Sequence, residues 1–278
     1  MIRMIVAATL ITAAAPVFAQ GAESGLPDPN DQSDTFTIAA GGALVPDYEG
    51  SDDNEFTPFG AIRGRVNGIS FSTRGTYLYV DFLRRPDSGV DIDLGPIVGV
   101  RRERVKKVED DFVRFFGKRK TAFEVGGFVG LTFHGLTNDY DALSIRLDAV
   151  HDIGSAHEST VVTPNIEFGT PLSRSTYVAA SLSADFVSNK YADYYYSNPG
   201  VIFGLAAIPA SDPGGGMKNW RIGLLLNQSI TDDLTGGLSL FGAADYSRIV
   251  GDIADTFFVE ERGKRGQARI AAGLAYTW

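Results

Sequence analysis

Three histidines, His134, His151 and His157, are the candidate general bases of this chain, and with no cysteine it has neither a thiol nucleophile nor a Cys-based zinc site. His157 stands beside Ser155, Glu158 and Ser159, the residue types of a Ser–His–acid relay. Neighbouring residues of a strand point to opposite faces, so sequence neighbours make poor relay partners. Neither Gly-x-Ser-x-Gly nor His-Glu-x-x-His occurs. His151-Asp152-Ile153-Gly154-Ser155 reads as a strand end entering a turn, where Asp, Gly and Ser serve the backbone. Nothing fixes two carboxylates at the roughly 5–10 Å separation of glycoside hydrolysis. The sequence offers no catalytic constellation, and a rim-located lipid hydrolase using His157 stands only as a third reading.

Asp47, Glu49, Asp52, Asp53 and Glu55 crowd five carboxylates into nine positions around Pro46 and Gly50. Calcium takes about 6–8 oxygen ligands, and this spacing departs from the Asp-x-Asp-x-Asp-Gly order of a calcium loop. A solvated acidic loop without metal or cofactor is expected. The run Arg101-Arg102-Glu103-Arg104-Val105-Lys106-Lys107, followed by Glu109-Asp110-Asp111, is the densest charge block. On an outward loop its guanidinium forks match lipopolysaccharide phosphates, and on an inner loop a partner protein or murein; a solvated, self-compensated loop is the plain alternative. Tyr191, Tyr194, Tyr195 and Tyr196 precede Asn198-Pro199-Gly200. Girdle anchoring accounts for them most simply, and a stacking platform for sugar or peptide is the sharper use.

The elements that must position these residues begin with the ends of the chain. Arg3, the apolar stretch Ile5 to Ile11 and the small-x-small site Val17-Phe18-Ala19 predict a secretory signal over 1–19, cleaved before Gln20. That apolar run is short of the roughly 20 residues a spanning helix needs. Residues 20–34, rich in Pro, Gly, Asp and Ser, read as a flexible leader. Removing 1–19 takes Arg3 away and moves the net charge from −9 to −10, which argues against nucleic acid as a partner. Every later apolar run is broken by Asp, Arg, Asn or glycine, so no transmembrane helix is expected. The 32 Gly, 18 Phe and 11 Tyr against 3 Met suit strands with aromatic girdles.

From Thr35 onward the chain alternates with a period of two. Val90, Ile92, Leu94, Pro96, Val98 and Val100 interleave with Asp91, Asp93, Gly95, Ile97, Gly99 and Arg101. Leu143, Ile145, Leu147 and Ala149 interleave with Ser144, Arg146 and Asp148, and Trp220, Ile222, Leu224 and Leu226 with Arg221, Gly223 and Asn227. Charges that point away from lipid imply a polar interior. Further segments are 35–43, 56–66, 68–81, 121–133, 160–169, 176–187, 200–208, 234–246 and 266–278, making twelve in all. The expected fold is all-β: a transmembrane antiparallel up-and-down β-barrel of about 12 strands over 35–278, with ten as the alternative count. The long segments 44–55, 102–120, 188–199 and 247–265 should then share one side, and this numbering does not place them so. Either 200–208 is loop, or 102–120 is a helical insert on the periplasmic side.

In the last segment Ala268, Ile270, Ala272, Leu274, Tyr276 and Trp278 fall on one face, with the final two rings at the membrane interface. A soluble β-sandwich ending in Trp is the alternative. Val45-Pro46-Asp47-Tyr48-Glu49-Gly50-Ser51-Asp52-Asp53 resembles the Pro-x-Tyr-x-Gly-Ser signature near the start of the MipA/OmpV family, the MltA-interacting proteins. Tyr246, then Gly251-Asp252-Ile253-Ala254-Asp255 and the closing aromatic strand, are similar to that family's last loop and strand. Tyr194-Tyr195-Tyr196-Ser197 and Thr256-Phe257 stand where the family tends to carry Tyr-Phe-Gly-Val and Ser-Pro. The resemblance implies an outer-membrane barrel whose signature loop holds Pro46, Tyr48, Gly50, Ser51 and Asp52. One branch of the family acts as a scaffold between a lytic transglycosylase and a peptidoglycan synthase, and others are described as osmotically regulated or adhesive surface proteins. In related families a last strand with Gly273, Tyr276 and terminal Trp278 is read by the outer-membrane assembly machinery.

The expected function is therefore non-enzymatic scaffolding or surface interaction in the bacterial outer membrane, among lipid, lipopolysaccharide and peptidoglycan-remodelling proteins. Asp91, Asp93, Arg146 and Asp148 on the lumen face motivate a second reading, a small passive pore.

Overall fold

The computed structural model describes residues 33–83 and 89–278. Alternating apolar and polar residues fold into long strands because that pattern gives a pleated ribbon one oily face and one wet face. Twelve of them close into a single antiparallel barrel: β1 (Thr35–Pro46), β2 (Asn54–Val66), β3 (Ile69–Arg74), β4 (Tyr77–Asp81), β5 (Val90–Arg101), β6 (Ala122–His134), β7 (Ala142–Asp152), β8 (Thr160–Pro171), β9 (Thr176–Val187), β12 (Gly216–Ser229), β13 (Gly237–Ile249) and β14 (Gly266–Thr277). Each pairs with its neighbour in the chain, β9 with β12, and β14 closes on β1 through pairs such as Ile38 with Tyr276 and Leu44 with Ile270. The hairpin β10 (Val201–Phe203) and β11 (Ala206–Ile208) forms its own two-stranded sheet.

The outer face carries Ile92, Leu94, Ile145, Leu224, Leu240 and Ile270, all about half exposed. Such a continuous apolar belt would be costly in water and is at ease against lipid chains. Asp91, Asp93, Arg146 and Asp148 point inward and are buried, as the alternation requires. No helix among the described residues is long and apolar enough to cross a membrane; the crossings are made by strands.

The strand count of twelve holds, but by a different division. Residues 200–208 are not a barrel strand: they are the separate β10–β11 hairpin, too short to span. Residues 68–81 are not one strand but two, because Gly75, at φ +56°, turns β3 back into β4. This exchange puts the three longest connections, 102–121, 188–215 and 250–265, at one end of the barrel, together with 47–53 and 153–159. Residues 102–120 are thus no insert on the short-turn side. They contain the one-turn helix α1 (Asp111–Phe115), while 188–215 contains α2 (Asn189–Tyr196), and 250–265 holds α3 (Gly251–Ala254) and a π-helical turn (Phe257–Glu261). At the opposite end the described connections run from two residues at 67–68 to seven at 135–141 and 230–236. Asn67 and Gly68 both have positive φ, 52° and 81°, the backbone of a two-residue hairpin turn. The proposed signal over 1–19 and most of the leader lie outside the described residues.

Candidate functional site

The long connections fold inward and roof one mouth of the barrel. Pro46 ends β1, and the following loop turns down into the lumen instead of standing in solvent. Tyr48 is buried, and its hydroxyl donates to the carbonyls of Phe258 (3.1 Å) and Arg262 (3.0 Å). Burial raises the pKa of that phenol, with Asp110 adding to the effect. Gly50 turns with φ +107°, and Ser51 bridges to Gly263. The Asp47 carboxylate accepts from the Glu109 amide (2.8 Å) and pairs with Lys106 (3.5 Å), which also pairs with Glu55. The acidic segment is therefore not a solvated loop. Asp47 and Glu49 are built into the roof, while Asp52 and Asp53 stay exposed. No group of three or more potential metal ligands occurs among the described residues.

Glu49 anchors the roof to the wall. Its carboxylate accepts from Lys218 Nζ (2.8 Å), Asn219 Nδ2 (3.0 Å) and the Tyr196 hydroxyl (3.1 Å). Burial works to raise the Glu49 pKa, but the Lys218 ammonium overrides it and holds the group below the ordinary carboxylate value. Glu103, whose Oε1 accepts from the Glu49 amide, is pushed up by burial and by the Glu49 charge. Asn219 and Lys218 also reach Asp185 on β9.

Further into the lumen Glu124 on β6 collects Arg101 Nε (2.9 Å), the Tyr77 hydroxyl (2.5 Å) and His157 Nε2 (2.7 Å). The other ring nitrogen of His157 lies 2.9 Å from Ser159 Oγ. Ser159, His157 and Glu124 thus have the connectivity of a nucleophile–base–acid relay; strand alternation does not separate His157 from Ser159, because residues 153–159 form a connection between β7 and β8. All three are buried, at 5%, 2% and 1% exposure, and none of them lines the open part of the lumen. Glu124 is tied to three partners at once and serves as a strut. A third layer follows, with Arg146 held bidentately by Asp148, Tyr79 donating to Asp148 (3.1 Å), and Arg74 on β3 reaching Glu167 on β8, across the barrel, at 3.2 Å.

Below these layers the lumen widens into a vestibule of about 570 Å³, lined by residues of the short-turn end such as Asp34, Tyr140, Thr235 and Thr277. Arg63, Arg65, Tyr79 and Tyr177 face it. The arginines were legible as a pair two apart in the segment 56–66, the same parity that marks lumen positions elsewhere; only their common cavity required the closed barrel.

The expected interaction residues divide. Arg102 and Lys107 are exposed at the long-loop end, and Lys106 is half-buried in its ion pairs. Arg101 lies inside on Glu124, and Arg104 is buried with its guanidinium 4.5 Å over the Phe258 ring, so neither is a surface contact. Burial and the neighbouring Arg119 lower the Arg104 pKa. The tyrosines are no membrane girdle. They sit on α2, where Tyr191, Tyr195 and Tyr196 are buried in the roof, the first two against His157 and each other and the third on Glu49, and the Tyr194 hydroxyl accepts from the Lys120 amide. The reason is helical spacing: positions 191, 195 and, one place on, 196 share the face turned into the barrel. Tyr276 and Trp278 do stand on the outer face, with Trp278 edge-on to Phe36, and Gly273 faces inward beneath Phe241. Asp152 ends β7 by accepting from the amides of Gly154, Ala156 and Glu158, as its turn position implied.

A family model described as MltA-interacting protein MipA matches residues 38–278. A search of curated proteins finds no match. Among solved structures, the toluene transporter TodX of Pseudomonas putida aligns with a TM-score of 0.40 at 8% identity over 89% of each chain. OmpT of Vibrio cholerae aligns at 0.35 and 7% identity, over 88% of this chain and 97% of its own. The toluene transporter TbuX of Ralstonia pickettii aligns at 0.34 and 10% identity over 89% of each.

Proposed function

This chain belongs to the MltA-interacting protein family MipA, and from that membership we propose that it is a non-enzymatic outer-membrane barrel that binds a cell-envelope partner, a lytic transglycosylase first, and through it peptidoglycan-remodelling proteins. The observation that carries this reading over a passive pore is the lumen itself. Three successive layers, Lys218–Glu49–Asp185, Arg101–Glu124–His157 and Arg146–Asp148 with Arg74–Glu167, project into it below a packed aromatic roof, and Arg74–Glu167 reaches from β3 across to β8. A continuous water path is hard to reconcile with them.

Barrels of the bacterial outer membrane keep short turns in the periplasm and long loops outside. By that rule the roof faces outward, and Arg102 and Lys107 are available there to lipopolysaccharide phosphates. The short-turn end faces the periplasm, where a murein enzyme works. Affinity capture of the tagged barrel from solubilised envelopes should retain a lytic transglycosylase. Recovery of no murein enzyme and no other envelope protein would sink the proposal. In planar bilayers the barrel should give no conductance steps, and regular steps would favour the pore.

A further inference from the structure

The vestibule is a dead-end chamber: the Arg74–Glu167 and Tyr79–Asp148 contacts close its upper end, and it opens at the short-turn end. Its size falls within the range of small-molecule sites, about 300–1,000 Å³. What singles it out is the treatment of its positive charges. On β2, Arg63 and Arg65 both face inward, paired in register with Ser72 and Ser70 of β3, so Arg65 lies nearer the mouth and Arg63 deeper. Arg74, one inward position beyond Ser72, completes a ladder that rises to the closed upper end.

Arg74 is committed to Glu167 through one terminal nitrogen, yet its Nε is buried without a partner. Arg146 is committed to Asp148. Arg63 is half-buried and has no hydrogen bond or ion pair with any described residue. A guanidinium held in a narrow, partly dehydrated chamber keeps its planar fork of donors pointing at whatever enters, and its field is screened less than at an open surface. Around it stand ring faces and one aliphatic side chain: Tyr79 and Phe128 on one side, Tyr177, Phe241 and Leu225 on the other. Six carboxylates also line the chamber: Glu167 holds Arg74, Asp93 accepts from Thr132 (2.6 Å), Asp81 from the amides of Leu83 and Leu94, and Asp34 from the Asn67 amide, while Asp91 and Asp139 complete the set.

We propose that the vestibule is a binding site for a small organic anion, a carboxylate or phosphate joined to a flat apolar body, with Arg63 as the anion-reading residue. The anion takes the Arg63 fork, the body stacks between the aromatic walls, and entry is from the short-turn side. Because the chamber is closed above, such a ligand binds there without crossing.

The test is equilibrium binding of phenyl phosphate to the folded full barrel in detergent, read by ligand-observed NMR, with phenol and inorganic phosphate as partial probes. Phenyl phosphate should bind more tightly than either. Arg63→Ala should weaken it about tenfold, as expected for loss of a charge-assisted pair, and Arg63→Lys should weaken it less. Arg63→Glu should turn the preference toward benzylamine. All variants should keep heat-modifiable migration, which separates a lost site from a lost fold. Equal affinity in Arg63→Ala, binding of phenol as tight as that of phenyl phosphate, or no binding to the unaltered barrel would each overturn the proposal. Partner capture does not enter these readouts, so this site and the envelope-partner reading stand or fall separately.

Discussion

Lys218 Nζ on β12 lies 2.8 Å from Glu49 Oε2 in the loop that follows β1, joining residues 169 apart in sequence inside a space from which water is almost excluded. That pair ties the roof to the barrel wall. Removing one member of such a pair strands the other charge, a loss of about 3–5 kcal/mol where burial is complete. Lys218→Met should therefore destabilise the roof strongly, and the double variant Lys218→Met with Glu49→Leu should recover much of the loss. Limited proteolysis of the 47–53 loop, with urea unfolding in micelles, measures both.

The seam between β1 and β14 predicts a second outcome. Gly41 and Gly273 face each other across it, and a Cβ on Gly273 would come within 2.8 Å of both Gly41 Cα and the Phe241 ring. Gly273→Val should block closure, whereas Ala272→Val on the lipid side should be accepted. The fraction of heat-modifiable barrel separates the two.

Trp278 packs edge-on against Phe36 at 5.1 Å and exchanges backbone hydrogen bonds with it, so it buttresses the same seam from outside. Deleting Trp278 should lower the amount of assembled barrel in the outer membrane. Normal surface level and unchanged migration would show that neither the seam nor assembly depends on this ring.

The turn at 135–141 should loosen in acid. Burial works to raise the Asp141 pKa, but hydrogen bonds from the Thr137 hydroxyl and the amides of Leu136, Thr137 and Asn138 prevail and hold it below its ordinary value. A carboxylate depressed in the folded state stabilises above its unfolded pKa, about 3.9, and that contribution disappears as pH falls through the lower folded value. Amide exchange at 136–138 should quicken there, and Asp141→Asn should remove the pH dependence.

Ser159→Ala tests whether the buried Ser159–His157–Glu124 chain is more than a strut. The expected result is an unchanged barrel with no ester hydrolysis gained or lost. His157→Ala should loosen the roof, seen as altered near-ultraviolet dichroism from Tyr191 and Tyr195, which pack on the ring.

The period of two fixed the faces of nearly every strand: Ile92 and Leu94 outward, Asp91 and Asp93 inward, Ala268 through Trp278 along one lipid-facing row. Parity is a local property of the chain, so local reading recovers it. The type of barrel and its strand number followed from the same pattern, although the number came from the wrong pieces. A turn at Gly75 and a hairpin at 201–208 differ from a strand in backbone conformation more than in hydropathy. Nor did the signature loop disclose its purpose. Pro46, Tyr48, Gly50 and Ser51 marked the position, but that Tyr48 would bond to Phe258 and Glu49 to Lys218 depends on partners some 170 to 210 residues away. The tyrosine cluster was read as a girdle because aromatic residues suit a lipid interface and a closed mouth equally well. Alternation along each strand determined that this chain has an inside and an outside; closure of the barrel decided that one mouth is sealed, because only closure brings the long loops together over a common lumen.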